Sequence, residues 1–495
     1  MRCPLPHPSA VLCIMLSDTA LHRNNVIRPG VAPCLPASRW LTSGLLTSRW
    51  LIGRLFLGVL AAAGYADLAR SEQPEEPRAA TERLAEQPPP RLRERFRFAG
   101  ERSGLWPKSW PRLRGSSAAG IGGSLSIECD LATKTWEWSI ALPGSGHASP
   151  VVSQGRIYVT SADPETASRI LSCHELTDGH LCWRVDQQAT RDHHHAQNSL
   201  ASSSPIVDAT AVYWSWASSE RLWVEALDHE GRRLWQVSPG PYVAEHGYAA
   251  SPAVWEHVLI VPMDQDGPSS VVGLDRKTGR QLWRLPRQTA RTSYATPLVL
   301  EGDEPVVILS SMAHGLTAVD PRNGHVVWER SCFPRRTVSS PITVGELLVA
   351  TCGEGGGNNL LVALRPGEQE NGEPVVAYQL ERGVAPYVPT PLATAERLYL
   401  WGDRGVVTCV DPASGATRWR GRVGGSYSSS PIAVSDIVLN VSAEGDVVLI
   451  ADADQFEVLG RRQLDEPSRA TPAVADGRLL FRSERRLYAL DLTRP

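Results

Sequence analysis

The sequence has almost no lysine. Three residues, Lys108, Lys134 and Lys277, stand beside 47 arginines in a chain of 495. So lopsided a ratio reads as base-composition bias, which lowers the functional weight of any single arginine. Phenylalanine (6) and methionine (4) are scarce, whereas tryptophan reaches 16; a skew of that size points to a repeated Trp position. A net charge of −3 excludes a strongly basic nucleic-acid binder. No apolar run approaches the ~20 residues of a membrane-spanning helix. The G-x-S-x-G, P-loop, H-E-x-x-H and kinase signatures are missing, which removes four common enzyme classes. What is present suits a large β-protein: 42% hydrophobic residues for a core, with 41 Gly and 38 Pro for turns.

Charge divides the chain. Residues 1–115 carry 17 basic and 9 acidic side chains, a balance of +8, and the remainder carries 33 and 44, a balance of −11. Arg49 and Arg54 precede the uncharged run Leu55–Ala66, LFLGVLAAAGYA. Its length suits a signal-peptide h-region, and Gly64 and Ala66 fit the −3 and −1 positions of a cleavage site. The lead before it is longer than a usual n-region, which leaves open a start placed too early or an uncleaved anchor. The expected organisation is a targeting segment (1–66), a Pro/Glu/Arg linker (67–95), a lead-in segment (96–132) and one large domain (133–495). The exported product would sit in the periplasm or cell envelope, with no membrane span after cleavage.

The domain is a repeat. A Ser/Thr-Pro pair, preceded by a small residue in most copies, recurs at Ser149-Pro150, Ser204-Pro205, Ser251-Pro252, Thr296-Pro297, Ser340-Pro341, Thr390-Pro391, Ser430-Pro431 and Thr471-Pro472. The spacing of ~45 residues is that of a four-stranded propeller blade. Each unit shows short β-rich runs separated by turns and no helical period. A second pattern, small-x-Asp-x-x-Thr-Gly-x-x-x-Trp, spans Gly273–Trp283. It recurs at Ala318–Trp328, Cys409–Trp419 and Cys173–Trp183, and one residue shorter at Ala226–Trp235. Gly supplies positive φ in a tight turn, Asp caps it, and Trp packs between blades beside the small residue. Blade 5 departs from the pattern with Tyr378 and blade 7 with Leu459. The predicted fold is all-β: an eight-bladed β-propeller of four-stranded antiparallel blades. The unit from Thr471 has room for three strands, so Thr135–Ile140 is expected to supply the fourth and close the ring.

This pattern resembles the tryptophan-docking repeat of the pyrroloquinoline quinone (PQQ) propeller superfamily over about residues 133–495. Trp110-Pro111…Arg114-Gly115, Gly146–Pro150 and His246–Pro252 are most similar to exported PQQ-like repeat proteins of planctomycete type. A more distant resemblance is to the propeller scaffold subunit of outer-membrane protein assembly. For catalytic members the resemblance implies PQQ with Ca²⁺. The adjacent Cys-Cys pair of the quinoprotein dehydrogenases is missing, as is the haem signature C-x-x-C-H. Asp264 is the nearest loop carboxylate to the family's catalytic Asp.

The loops before strand one and after strand two share the channel face. Polar residues there are the ligand candidates: His147, His194, Asn198, His246, Asp264, Asp266, Arg291, His314 and Arg404. Their neighbours Asp192, His193, His195, Glu245, Glu354, Asn358, Tyr387 and Glu444 lie in the same loops. Solvation alone makes loops polar, and no spacing among these residues dictates a metal site. Cys173 and Cys409 occupy the small position of the Trp pattern, so buried packing is their first explanation; Cys173 and Cys182 could face each other across a hairpin and form a disulfide. The function expected is a non-catalytic binding or scaffold module acting at the channel face as a monomer. Its partner would be an envelope protein, a small molecule or a glycan. A PQQ-dependent oxidoreductase with a diverged site is the alternative.

Overall fold

The computed structural model describes residues 96–97, 107–123, 130–355, 357–381 and 383–493. They fall in one compact unit, Leu84–Pro495. The expected export segment and linker lie outside the described residues, as does Cys129. All regular structure among the described residues is β-strand, so none of it is a helix long and apolar enough to cross a membrane.

Eight antiparallel sheets follow one another along the chain. Blade 3 shows the plan: Ala253–Trp255, Val258–Met263, Gly267–Asp275 and Gln281–Thr289, in that order from channel to rim. Blades 1, 2 and 4–8 begin at Val151, Ile206, Leu298, Ile342, Leu392, Ile432 and Ala473. Inner strands are buried on both faces because a neighbouring blade covers each; Val258–Met263 is buried throughout. Outer strands alternate buried and exposed, as in Gln281–Thr289, because one face meets solvent. Phe96–Arg97 adds a fifth strand beside Leu298–Gly302 of blade 4.

The ring closes as the sequence implies. Blade 8 has three consecutive strands, Ala473–Ala475, Arg478–Arg482 and Arg486–Asp491, and takes Trp138–Ala141 as its outer strand. The register pairs Trp138 with Ala489 and Ile140 with Leu487. No unpaired edge is left between the two chain ends.

The Trp pattern has a double geometric basis. Within a blade, the small residue sits opposite its own Trp: Gly273 pairs with Trp283, and a Cβ there would stand 2.2 Å from the indole. Between blades, the indole N–H donates to the next blade's turn. Trp183 donates to His229 O (2.8 Å), Trp235 to Arg276 O (2.9 Å) and Trp283 to Pro321 O (2.9 Å). Tyr378 takes this role in blade 5 through its hydroxyl, which donates to Pro412 O at 2.9 Å. In blade 7, where Leu459 replaces Trp, the gap toward blade 8 is filled from elsewhere. Trp136 packs on Phe481 and Tyr488 with Arg462 stacked 3.6 Å from its centroid.

The Ser/Thr-Pro anchors form a second ring around the channel. Seven of the eight backbone N–H groups donate to the next anchor's hydroxyl: Ser149 to Ser204 (2.9 Å), Ser204 to Ser251 (3.0 Å), Thr296 to Ser340 (3.1 Å), Ser340 to Thr390 (3.0 Å). Thr390 to Ser430, Ser430 to Thr471 and Thr471 back to Ser149 carry it across the closure. The hydroxyl satisfies an N–H that the innermost strand cannot pair, which is why the position keeps Ser or Thr.

Residues 107–123, taken from sequence as lead-in, cross the end of the channel opposite the rim loops. Trp110 bridges Val152 of blade 1, Val207 of blade 2 donates to Pro111 O, and Gly122 donates to Ala433 O of blade 7. Arg114 is fully enclosed. Its guanidinium donates to the carbonyls of Thr390, Pro391 and Pro431, and burial lowers its pKa to about 9. The segment plugs the channel and turns it into a cup.

Candidate functional site

The cup has a volume of about 610 Å³, within the ~300–1,000 Å³ range of small-ligand pockets. All eight anchor hydroxyl residues line it, with Leu113 of the plug among them. The wall comes from the blade-to-blade connections: His147, Asn198, His246, Arg291 with Tyr294, Arg335 with Arg336, Tyr387, Ser428 and Arg469. Each connection returns from an outer strand to the next inner one, so each must cross the channel face. That path brings residues distant in sequence into one ring.

Arg336 organises one side. It is buried (9% exposed); its Nη2 donates to Glu245 at 2.8 Å and its Nη1 lies 3.1 Å from His246 Nε2. Burial is the largest influence on Arg336 and opposes its charge, but the Glu245 bond together with the neighbouring Tyr294, Tyr387 and Glu245 charges outweighs it and holds the guanidinium above its ordinary value. His246 is pushed below the ordinary imidazole range, by burial first and by Arg336 next, with Glu245 opposing. Its ring stacks on His195 at 4.7 Å. Arg291 shares Glu245 at 3.1 Å, and Arg335 pairs with Glu354 at 3.1 Å. His147 is lowered to about 3, by burial first and then by the charges of Arg469 and Arg482. Both shifts favour the neutral imidazole, and His246 accepts from Arg336 Nη1.

Of the nine candidates read from sequence, His147, Asn198, His246 and Arg291 line the cup. Asn198 also braces it: its Nδ2 donates to His246 O at 2.7 Å, and its Oδ1 accepts from Ser199 N at 2.8 Å. His194 lines an adjoining cavity of about 400 Å³ instead. Asp264, Asp266, His314 and Arg404 lie outside the cup's lining. Asp264 is buried against Arg287 at 2.8 Å. Asp266 accepts from Thr292 N (2.8 Å) and Glu245 N (2.6 Å), so it ties two loops together. His314 is held between Glu329 (3.0 Å) and Gln288 N (3.2 Å), and Arg404 is exposed. Arg335, Arg336 and Arg469 were not among the candidates, because arginine abundance had been set down to composition. Among the described residues no group of three His, Cys, Asp or Glu is placed to hold a metal ion. Cys173, Cys182, Cys332, Cys352 and Cys409 are free thiols, and Cys182 Sγ donates to Glu175 at 3.1 Å.

These features define the class: a closed eight-bladed propeller of PQQ-like repeats with a cationic cup on one face. The chain belongs to the family described as outer membrane protein assembly factor BamB, whose sequence profile matches residues 116–238, 220–383 and 403–494. It is 22% identical over 271 residues to the outer membrane protein assembly factor BamB of Moranella endobia (strain PCIT), 52% of this chain and 63% of that protein. The chain thus spans less than two thirds of the length of that relative. Among solved structures, BamB from Moraxella catarrhalis superposes with a TM-score of 0.55 at 17% identity, over 72% of this chain and 96% of that one. Quinohemoprotein alcohol dehydrogenase ADHIIG from Pseudomonas putida HK5 superposes with a TM-score of 0.58 at 15% identity, over 78% and 80%. At these identities the likeness is one of fold.

Proposed function

We propose that this chain is an exported, non-catalytic propeller of the cell envelope that holds a protein segment or small ligand in its cup. On this reading it serves as a scaffold in outer-membrane protein assembly. The observation that carries it is the cup itself. It is blind at the plug, floored by anchor hydroxyls, and walled by histidines and arginines, of which Arg291 and Arg336 are held by Glu245 and Arg335 by Glu354, while Asn198 braces the loop of His246. Preorganised polar groups in a concave site are what selective binding requires.

The residues do not fit a PQQ–calcium pair. Calcium takes about 6–8 oxygen ligands. Here Glu245 and Glu354 are paired with arginines, Asp264 with Arg287, and Asp266 with two backbone N–H groups. Titration with PQQ, with and without Ca²⁺, tests this directly. Saturable binding that strengthens with calcium and is lost in His246→Ala would restore the oxidoreductase reading. The binding reading is tested by photo-cross-linking from Gln197, which lines the cup, and from Lys277, which sits in an outer turn, each in the full chain in envelope extracts. The expected result is a discrete outer-membrane assembly component attached from Gln197 alone. Equal labelling from both sites would overturn the channel-face assignment.

A further inference from the structure

Two cavities meet at one wall. The cup and the adjoining cavity share His147, Asn198 and Arg469. Asn198 is held by Ser199, Ser202 and the His246 carbonyl. The other two are held far less. Arg469 bonds only the Ser428 hydroxyl, at 3.1 Å, and has no carboxylate partner among the described residues. Arg291, Arg335 and Arg336, the other arginines of the cup, each have one. His147 uses its main-chain N–H on Ala201 O at 3.0 Å, while neither ring nitrogen bonds a described residue. The lining holds four arginines and one glutamate, Glu354, and with Glu245 behind Arg291 and Arg336 counted as well a positive excess remains.

We propose that Arg469 and His147 bind the carboxylate of a ligand seated in the cup, either a peptide chain end or a small organic acid. This rests on the reading of the cup as a binding site. A guanidinium fork presents parallel N–H groups that match the two oxygens of a carboxylate, and a neutral imidazole adds one more donor. The partly enclosed site strengthens such a contact relative to open water. The position of Arg469 on the shared wall lets the remainder of the ligand extend into either cavity.

The test uses the full chain and a fluorescein-labelled pentapeptide of glycine, serine and alanine with a free C-terminal carboxylate. Its C-terminal amide is the comparison, and citrate, acetate and inorganic phosphate are competitors. The expected result is saturable binding of the free acid that falls tenfold or more in the amide and in Arg469→Gln. Arg469→Lys, which keeps the charge and loses the fork, falls between. His147→Gln weakens binding less, and at pH 7.5, above the window in which His147 titrates, the melting curves of all three variants match that of the parent chain. Preferential displacement by citrate or acetate assigns the site to an organic acid, and resistance to them assigns it to a peptide end. Displacement by phosphate as effective as by citrate would overturn the carboxylate assignment. Acid and amide binding equally, both lost in Arg336→Ala, would refute the carboxylate while leaving the cup as a binding site. No binding into the millimolar range, together with failed cross-linking from Gln197, would refute both.

Discussion

Replacing Gly279 with alanine measures what the inter-blade tryptophan is worth. Gly279 has φ of +72°, and an added Cβ would stand 2.6 Å from Trp235 Cε3 and 3.1 Å from Val237 Cγ1. Trp235 cannot swing away, because its indole N–H is bonded to Arg276 O in the same turn at 2.9 Å. Gly155 provides the control: it has the same φ of +72°, and nothing lies within 4 Å of its would-be Cβ. Left-handed backbone costs an L-residue ~1–2 kcal/mol, offset by ~0.4–1 kcal/mol from a stiffer unfolded chain. Gly155→Ala should therefore destabilise by about 1 kcal/mol or less. Gly279→Ala adds an overpacking cost of ~1–3 kcal/mol, for a total of about 1–4 kcal/mol. Urea midpoints at unchanged slope report the difference. Equal midpoints for the two variants would refute the claim that the turn glycine is kept clear for the neighbouring indole.

Other predictions follow from the same contacts. Ser204→Ala removes the acceptor for the buried Ser149 N–H and should cost ~1–3 kcal/mol; Ser204→Thr should restore most of it in a thermal melt. Deleting residues 133–142 removes the outer strand of blade 8 and the Trp138 bond to Leu176 O at 3.2 Å, so cooperative unfolding should be lost; a parent-like melting midpoint would contradict closure. His147 binds its proton at an ordinary value of 6.5 when unfolded and at about 3 when folded. The unfolded chain therefore holds more protons in that window, and His147 contributes stability above pH 6.5 that is lost as pH falls toward 3. His147→Gln should flatten the plot of midpoint against pH between those values, and an unchanged slope would refute the assignment.

The repeat was legible because two covalently local patterns report two contacts that recur blade after blade. The Ser/Thr-Pro pair marks the inner hydrogen-bond ring, and the Gly–Trp spacing marks the blade interface. Closure could be read because Thr471 begins a unit too short for four strands. The plug was not read, since Gly115–Gly123 is Gly/Ser-rich and resembles a linker; its order comes from bonds to strands far along the chain, such as Gly122 N to Ala433 O. Trp136, read as part of the closing strand, lies just before it and packs on Phe481 and Tyr488 in the gap between blades 7 and 8. The site was half legible. Which loop residues are polar is written in the sequence, but which ones turn inward depends on loop paths that no period encodes. Asp264 and Asp266 are used to hold the loops, and Arg336 and Arg469 were hidden among 47 arginines.

Hydrogen–deuterium exchange on the full chain with its cross-linked partner tests the central claim most directly. The account predicts added protection in residues 190–198, 243–249 and 333–338, the connections that wall the cup, with the outer strands unchanged. Protection confined to the outer strands, around exposed Leu234, Val326 and Val327, would contradict it and place binding on the rim of the blades.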